Sequence, residues 1–202
     1  WLPTLRTYRT PLLDNLSREA ELIQAVNTIY RKNGKVIGHN TDGIGCVRAL
    51  TEHHVSIVGK HIVLLGAGGA ARAIAVTLAL RGIAGLHILN RSIERAVPLA
   101  TDIKKKTRVA ASAGGLDDIQ HALTKGDILI NATSVGMKGK TEGQTLIPSA
   151  MLQPDLVVHD IVYIPRKTRL IQDAENAGAN RLTEYEKEIN FSFREKHYKI
   201  DR

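Results

Sequence analysis

The chain has 202 residues, 43% of them hydrophobic and 24% charged, which suffices for one large globular domain or two small ones sharing a core. This composition excludes disorder as the main state, and no apolar run approaches the ~18 residues that a membrane helix needs. The formal net charge of +8 favours anionic partners, while an aromatic content of 4% argues against the base-stacking surfaces of nucleic-acid binders.

The first third of the chain predicts a helix, a hairpin and a second helix. Apolar residues at helical spacing indicate a helix over 17–26, with Ser17 as its N-cap. β-Forming residues flank Asn33-Gly34, a pair that suits a two-residue type I′ turn, so a β-hairpin should follow. Thr41 or Asp42 then caps a helix that runs to residue 54 and links two domains.

From Lys60 onward, apolar runs of four to six residues alternate with amphipathic segments. The predicted strands are HIVLL, GLHILN, RVAAS, DILIN and LVVHDIV, and the predicted helices are AARAIAVTLALRG, SIERAVPLATDIKKK and LDDIQHALT. Alternation of this kind predicts an α/β fold with a doubly wound parallel sheet, a Rossmann-like region. The segment 136–153 is predicted to be a loop.

The most specific local motif is HIVLLGAGGAARAIA, which lies between a predicted strand and a predicted helix. Gly66, Gly68 and Ala71 fill the G-x-G-x-x-G/A pattern, in which the glycines permit a tight turn and a close approach to a pyrophosphate. The alternative is an ordinary glycine-rich turn from strand to helix.

The end of the next strand suggests which dinucleotide binds. NAD sites usually carry Asp or Glu there, whereas this chain has Asn90-Arg91-Ser92, followed by Arg95. A guanidinium binds a 2′-phosphate in bidentate fashion, so the predicted cofactor is NADP. The alternative for Arg91 and Arg95 is a solvated helix face.

Five segments of the chain resemble the shikimate and quinate dehydrogenase family. They are AVNTI, GHNTDGIG, LLGAGGAARA with LNRS, INATSVGM, and DIVYIPRKTRLIQDAENAGA, and together they cover about residues 14–179. Their order and spacing both agree with the family.

The resemblance implies reversible reduction of 3-dehydroshikimate to shikimate by NADPH, a step of aromatic amino acid biosynthesis. Asp42 matches the family's catalytic and substrate-binding aspartate, Asn27 a ligand of a substrate hydroxyl, and Tyr163 the tyrosine of D-x-x-Y. The implied cofactor contacts are Gly66, Ala67, Gly68, Gly69, Ala70, Asn90, Arg91, Ser92, Arg95 and Ile161, with Thr133 and Ser134 beside the nicotinamide.

These residue types suit ketone reduction on chemical grounds as well. Negative charge develops on the reacting oxygen, so a proton donor and an orienting carboxylate are needed, and a polyhydroxylated ring needs amide and carboxylate partners. The alternatives are a helix N-cap for Asp42, a turn residue for Asn27 and an ordinary strand aromatic for Tyr163.

The sequence departs from the family pattern at both ends. Counting back from the matched segments, the catalytic lysine position falls on Arg6, and the S-x-S pattern that binds the substrate carboxylate is absent. Arginine, with a pKa above ~12, is a poor proton shuttle but still neutralises an oxyanion. The expected domains are a partial substrate domain over 1–42, a Rossmann-like NADP domain over 43–180 and a divergent segment over 181–202. A fragment, a truncated product and a diverged relative all remain open.

The expected function is therefore an NADP-dependent dehydrogenase of small molecules, shikimate or 3-dehydroshikimate. The alternatives are a catalytically impaired NADP-binding module, a quinate-preferring relative and, last, a basic nucleic-acid binder. No metal site is expected, because the histidines lack ligand spacing. A single cysteine, Cys46, and residues 1–10 without a signal-peptide pattern lead us to expect a cytoplasmic protein. The sequence leaves the oligomeric state open.

Overall fold

The computed structural model describes residues 13–183, and its first sheet is small and mixed. The elements of this first part of the chain are β1 (Asn15–Leu16), α1 (Arg18–Ile23), β2 (Thr28–Lys32), β3 (Lys35–His39) and α2 (Asp42–Glu52). β2 and β3 pair antiparallel, and β1 adds in parallel to the other edge of β3. The predicted hairpin is confirmed: Asn33 and Gly34 adopt φ values of +52° and +78°, as a type I′ turn requires.

The first helix is shorter than predicted, although its cap is as expected. The Ser17 hydroxyl accepts a hydrogen bond from the Ala20 amide at 3.1 Å. The helix ends at Ile23 because Gln24 adopts a left-handed φ of +64°, so the prediction that it continues to residue 26 is wrong. The second helix likewise ends at Glu52, before the predicted residue 54.

The second sheet has six strands in the order β6-β5-β4-β7-β8-β9, and every neighbouring pair is parallel. Its strands are β4 (His61–Leu65), β5 (Gly85–Leu89), β6 (Ala110–Gly114), β7 (Ile128–Asn131), β8 (Val157–Asp160) and β9 (Asn180–Thr183). Its helices are α3 (Gly69–Leu80), α4 (Ile93–Lys106), α5 (Ile119–Leu123) and α6 (Arg169–Asn176). This order confirms the predicted doubly wound sheet, whose switch point lies between β4 and β7.

Two hydrophobic cores cover the two faces of this sheet. Ile62 and Leu64 of β4 belong to the core that contains α3 and α4, whereas Val63 and Leu65 belong to the core that contains α5 and α6. Successive residues of a strand point to opposite faces, so a strand buried on both sides is apolar throughout. Each fully buried side chain of this kind contributes roughly 1.5–3 kcal/mol.

Elements of the second sheet and its helices also differ from the sequence prediction. β6 spans 110–114 rather than 108–112, and the predicted helix LDDIQHALT is a 3-10 turn followed by α5. β9 was not predicted, and its residues 181–183 lie in the segment that the sequence analysis assigned to the divergent C-terminus. β9 is a strand because it pairs with β8, and only Leu182 in it is a buried hydrophobic residue.

The two sheets are joined by helices that pack closely. A Cβ on Gly43 would overlap the Ala73 carbonyl oxygen, so only glycine permits this approach of α2 to α3. Arg72 of α3 donates to the Ile23 carbonyl at 2.5 Å and also contacts Asp102 of α4. The C-terminal end of α1 is thereby held against α3. Over residues 13–183, none of the helices is both long and apolar enough to cross a membrane.

Candidate active site

The glycine-rich turn between β4 and α3 has the geometry of a phosphate loop. Gly66 adopts φ +107°, and a Cβ there would lie 3.0 Å from the Ala132 carbonyl oxygen, so the position requires glycine. Gly68 is the N-cap residue of α3, and as a glycine it offers no side chain to the first helical amides. A Cβ at this position would meet no atom within 4 Å. The start of α3 therefore presents backbone amides and the positive helix end to open space.

This arrangement fits the pyrophosphate of a dinucleotide. The helix of twelve residues begins at Gly69, and its first amides have no partner within the helix. Ala71 is fully buried, which lets α3 lie close to the sheet as the small third position of the motif predicts. The geometry of residues 66–70 is therefore compatible with the cofactor contact that the sequence predicts, which stays a prediction.

The turn after β5 exposes the two arginines proposed to select NADP. Asn90 donates through its side-chain amide to the Ser92 carbonyl at 2.9 Å, which shapes the turn before α4. Arg91 and Arg95 are both exposed, and within residues 13–183 neither guanidinium has an ion-pair partner. Two unpaired cations at this turn suit a 2′-phosphate.

Two loops at the carboxyl ends of β7 and β8 complete this edge of the sheet. We call residues 131–135 the Thr133 loop and residues 160–168 the Tyr163 loop. The Thr133 hydroxyl donates to the Asn131 side-chain oxygen at 2.7 Å, and the Ile161 amide donates to the Asn131 carbonyl at 3.2 Å. Ser134 is exposed, and Tyr163 is 47% exposed. Because β4, β7 and β8 are adjacent, both loops lie on the same edge as Gly66.

Asn27 and Asp42 form a hydrogen-bonded pair beside the start of α2. The Asn27 side-chain amide donates to Asp42 Oδ1 at 2.6 Å. The Asn27 Oδ1 accepts hydrogen bonds from the Thr28 hydroxyl at 2.9 Å and the Thr41 amide at 3.0 Å. Since these donors occupy the oxygen, the nitrogen of the Asn27 amide must face the carboxylate.

The carboxyl group of Asp42 is held but not saturated. In the described part of the chain, only its Oδ1 accepts a hydrogen bond, so Oδ2 remains available to a ligand. Asp42 is exposed as a residue, but protein atoms around its carboxyl group exclude part of the solvent there. This desolvation raises the pKa of Asp42. The hydrogen bond from Asn27 opposes that rise. Asp42 is the first residue of α2, and its side chain is committed to Asn27 rather than to capping the helix.

The pair is fixed relative to the phosphate loop through α3. Gly43, next to Asp42, packs against α3 at Ala73 and Thr77, which lie about one and two turns after Gly69. The structure thus brings Asn27 and Asp42 to the first turns of the helix whose start is the phosphate loop. Arg6 lies outside the described residues. Within 13–183, no cluster of His, Cys, Asp and Glu side chains is suited to a metal ion.

Two buried polar residues at strand ends were given no role in the sequence analysis. Asp160 at the end of β8 is fully buried, and its carboxylate accepts hydrogen bonds from Asn131, Val162 and Thr168. Asn131 at the end of β7 is 3% exposed. The available signal was a polar residue directly after each apolar run, INATS and VVHD, at the edge where ligands bind.

Asp160 should make stability depend on pH. Burial raises its pKa from 3.8 to about 6, against the hydrogen bonds that it accepts. Between these values the native state binds more protons than the unfolded state, so the free energy of unfolding decreases as pH rises from about 4 to 6, by on the order of 3 kcal/mol.

We expect Asp160→Asn to remove this decrease, because the amide does not titrate. The measurement is urea denaturation of both proteins at pH 4 and pH 7. Equal changes between the two pH values in both proteins would contradict the assignment.

Comparisons with known proteins show what this chain is similar to. A family model described as shikimate / quinate 5-dehydrogenase matches residues 49–168. A shikimate dehydrogenase (NADP(+)) of Methanopyrus kandleri is 46% identical over 175 residues, which are 85% of this chain and 60% of that protein.

Solved structures show the same similarity. Shikimate 5-dehydrogenase of Listeria monocytogenes, in complex with shikimate and NAD, matches with a TM-score of 0.85 and 40% identity over 92% of this chain and 66% of that one. The enzyme of Thermus thermophilus, in complex with NADP(H) and shikimate, matches with a TM-score of 0.70 and 32% identity over 84% of this chain and 59% of that one. The chain therefore spans about three fifths to two thirds of the length of these relatives.

Proposed function

Because this chain belongs to the shikimate and quinate dehydrogenase family, we propose that it carries out the NADP-dependent interconversion of 3-dehydroshikimate and shikimate. The observation that carries the proposal is the Asn27–Asp42 pair, 2.6 Å between donor and acceptor, packed onto the helix that begins at the phosphate loop. Quinate, in place of shikimate, is the alternative substrate within the family.

The cofactor half of the proposal uses the backbone and two arginines. The amides at 66–70 bind the pyrophosphate, and the turn Asn90-Arg91-Ser92 with Arg95 holds the 2′-phosphate. Thr133, Ser134 and Ile161 border the nicotinamide from the loops after β7 and β8. NADPH supplies a hydride to the ring ketone when it is bound.

Arg91 gives the most direct test of cofactor choice. We expect Arg91→Asp to lower the ratio of NADP to NAD affinity by about 10- to 100-fold, because a charged hydrogen bond is replaced by charge repulsion. The measurement is a fluorescence titration with NADPH and with NADH. Arg81→Asp, an exposed arginine at the opposite end of α3, is the matched control. An unchanged ratio in Arg91→Asp would show that the cofactor assignment is wrong.

The substrate half of the proposal gives separate tasks to three side chains. The Oδ2 atom of Asp42 binds an oxygen of the substrate, through a hydrogen bond or a shared proton. Asn27 donates one amide hydrogen to Asp42 Oδ1 and so fixes the carboxyl group. Its second amide hydrogen is left for a substrate hydroxyl. Tyr163, exposed on its loop, contributes a phenolic hydroxyl from the other side of the site. The raised pKa of Asp42 suits a group that handles a proton.

Arg6 occupies the position that a lysine holds in the family. We propose that its guanidinium neutralises charge on the developing oxyanion or on the substrate carboxylate, without carrying the proton. On this assignment the proton comes from solvent or through Asp42.

The test is an NADPH titration of the purified chain, repeated with saturating shikimate, followed by 3-dehydroshikimate-dependent oxidation of NADPH. NADPH binding that tightens with shikimate, together with turnover, supports the dehydrogenase. NADPH binding that ignores shikimate, without turnover, identifies a cofactor-binding module instead. Two results would favour the nucleic-acid hypothesis: an affinity for DNA that falls steeply as the salt concentration rises, and equal affinities for NADP and NAD.

The proposal extends to organisation and location. We propose a partial substrate domain over 1–42, an NADP domain over 43–180, to which β9 adds residues up to Thr183, and a divergent segment beyond. Its partners are small molecules rather than nucleic acid. Cys46, the single cysteine of the sequence, is buried, and we propose a reducing cytoplasm as the location.

A further inference from the structure

Asp160 is a buried acidic residue to which the proposed reaction assigns no task. It is fully buried at the end of β8, immediately before Ile161. A buried carboxylate is costly unless hydrogen bonds compensate it. Here the compensation comes from three donors on three different segments: Asn131 at 3.0 Å, the Val162 amide at 3.0 Å and the Thr168 hydroxyl at 2.7 Å.

The first of these donors organises the Thr133 loop. The Asn131 Nδ2 donates to Asp160 Oδ1 and to the Val135 carbonyl at 3.2 Å. Its Oδ1 then accepts from the Thr133 amide at 3.1 Å and the Thr133 hydroxyl at 2.7 Å. Because only the nitrogen of an amide can face a carboxylate, Asp160 determines which way Asn131 is oriented and hence the form of the Thr133 loop.

The other two donors close the Tyr163 loop at both ends. The Val162 amide bonds to Oδ1 and the Thr168 hydroxyl to Oδ2 of the same carboxylate. Thr168 also caps α6 by accepting from the Ile171 amide at 3.4 Å. Tyr163 lies between these two attachment points and is 47% exposed.

The two loops also contact each other directly next to these attachments. The Lys138 amide donates to the Ile164 carbonyl at 2.8 Å. A Cβ on Gly136 would lie 3.5 Å from Thr168 Cβ. One carboxylate therefore sits at the junction of the loop proposed to border the nicotinamide and the loop proposed to carry a substrate ligand.

We propose that Asp160 is a positioning residue that holds the Thr133 loop and the Tyr163 loop in one arrangement, and so sets the distance between cofactor and substrate. The inference rests on the proposed function for its catalytic consequence. A carboxylate accepts from all three partners at once, and the Asn131 and Val162 nitrogens can only donate. An amide at position 160 would have to turn its nitrogen toward Thr168, which reverses that hydrogen bond and removes the attachment that the hydroxyl makes to Oδ2.

The experiment compares Asp160→Asn with Asp173→Asn in the full chain at pH 8. Asp173 is a second buried aspartate, 6% exposed, which pairs with Arg169 within α6 and contacts neither loop through a hydrogen bond of its side chain. Hydrogen exchange of the ligand-free proteins, NADPH titration and steady-state kinetics with 3-dehydroshikimate are measured on each.

We expect the Thr133 and Val162 amides to exchange at least about tenfold faster in Asp160→Asn only. The Kd for NADPH should rise about 5- to 50-fold, and KM for the substrate should rise with it. Unchanged exchange overturns the proposal. Faster exchange with unchanged Kd and KM also overturns it, because the network then serves only the fold.

A second pair of variants keeps the test decisive if Asp160→Asn fails to fold. Thr168→Val removes the hydroxyl at constant shape, whereas Thr168→Ser retains it. Faster exchange of the Thr133 and Val162 amides and weaker NADPH binding in the valine variant, with recovery in the serine variant, support the proposal. Equal behaviour of the two variants overturns it, and so does faster exchange confined to the first amides of α6, because that reports only the lost helix cap. If the wild-type chain binds no NADPH, the proposed function fails, and exchange of the free chain alone decides whether Asp160 orders both loops.

Discussion

Asp42→Asn is expected to lower kcat for reduction of 3-dehydroshikimate by about 10²- to 10⁴-fold, the range for loss of a group that handles a proton in the transition state. Asparagine has the same shape, and its oxygen still accepts the hydrogen bond from Asn27 that the structure shows at 2.6 Å. The substitution therefore removes charge and proton-handling at Oδ2 while leaving the start of α2 in place.

The affinity for NADPH should not change in this variant, because Asp42 reaches the phosphate loop only through the packing of α2 on α3. Steady-state kinetics and fluorescence titration separate the two effects. Glu52→Gln, which neutralises the acidic residue at the last position of the same helix, is the matched control and should behave as wild type. Full activity in Asp42→Asn would remove Asp42 from the proposed chemistry.

Gly66→Ala is expected to lower the affinity for NADPH by at least about 100-fold, since each 1.4 kcal/mol is tenfold and both strain and contact contribute. The residue adopts φ +107°, and the added Cβ would lie 3.0 Å from the Ala132 carbonyl oxygen and 3.1 Å from Thr133 Cγ2. Relief of these contacts moves either the phosphate loop or the Thr133 loop, both of which are proposed to contact the cofactor.

Gly59→Ala separates this effect from the general cost of a left-handed alanine. Gly59 has φ +73°, and a Cβ there would meet no atom within 4 Å. It precedes β4, at the edge of the sheet opposite the phosphate loop. Gly59→Ala should lose about 1–2 kcal/mol of stability in urea denaturation, from the left-handed backbone, and Gly66→Ala should lose at least as much, because its Cβ also meets Ala132 and Thr133. Only Gly66→Ala should lose NADPH affinity. Equal affinities in the two variants would mean that the turn after β4 does not bind the pyrophosphate.

The spacing of apolar residues and glycines along the chain was enough to predict most of the fold and the phosphate loop. Apolar runs such as HIVLL, the Asn33-Gly34 turn and the glycine pattern at 66–71 act over a few residues, so their structural consequences follow from steric and hydrogen-bonding rules alone. The hairpin and the parallel sheet that these segments predicted are present. The roles proposed for Asn27, Asp42 and Tyr163 came from the resemblance to a family, because residue spacing alone does not assign them.

Only the tertiary structure decided which distant side chains meet. Asn27 reaches Asp42 because the hairpin returns the chain to its own start, and Asn131 reaches Asp160 because β7 and β8 are neighbours in the sheet. β9 is a strand by virtue of its pairing with β8, and α1 ends where Gln24 turns left-handed against Arg72 of a remote helix. Such contacts depend on burial and on partners far along the chain, whereas a sequence pattern reports only near neighbours. The amino acid sequence by itself determined a nucleotide-binding sheet, and the packing of remote segments decided the geometry of the site built upon it.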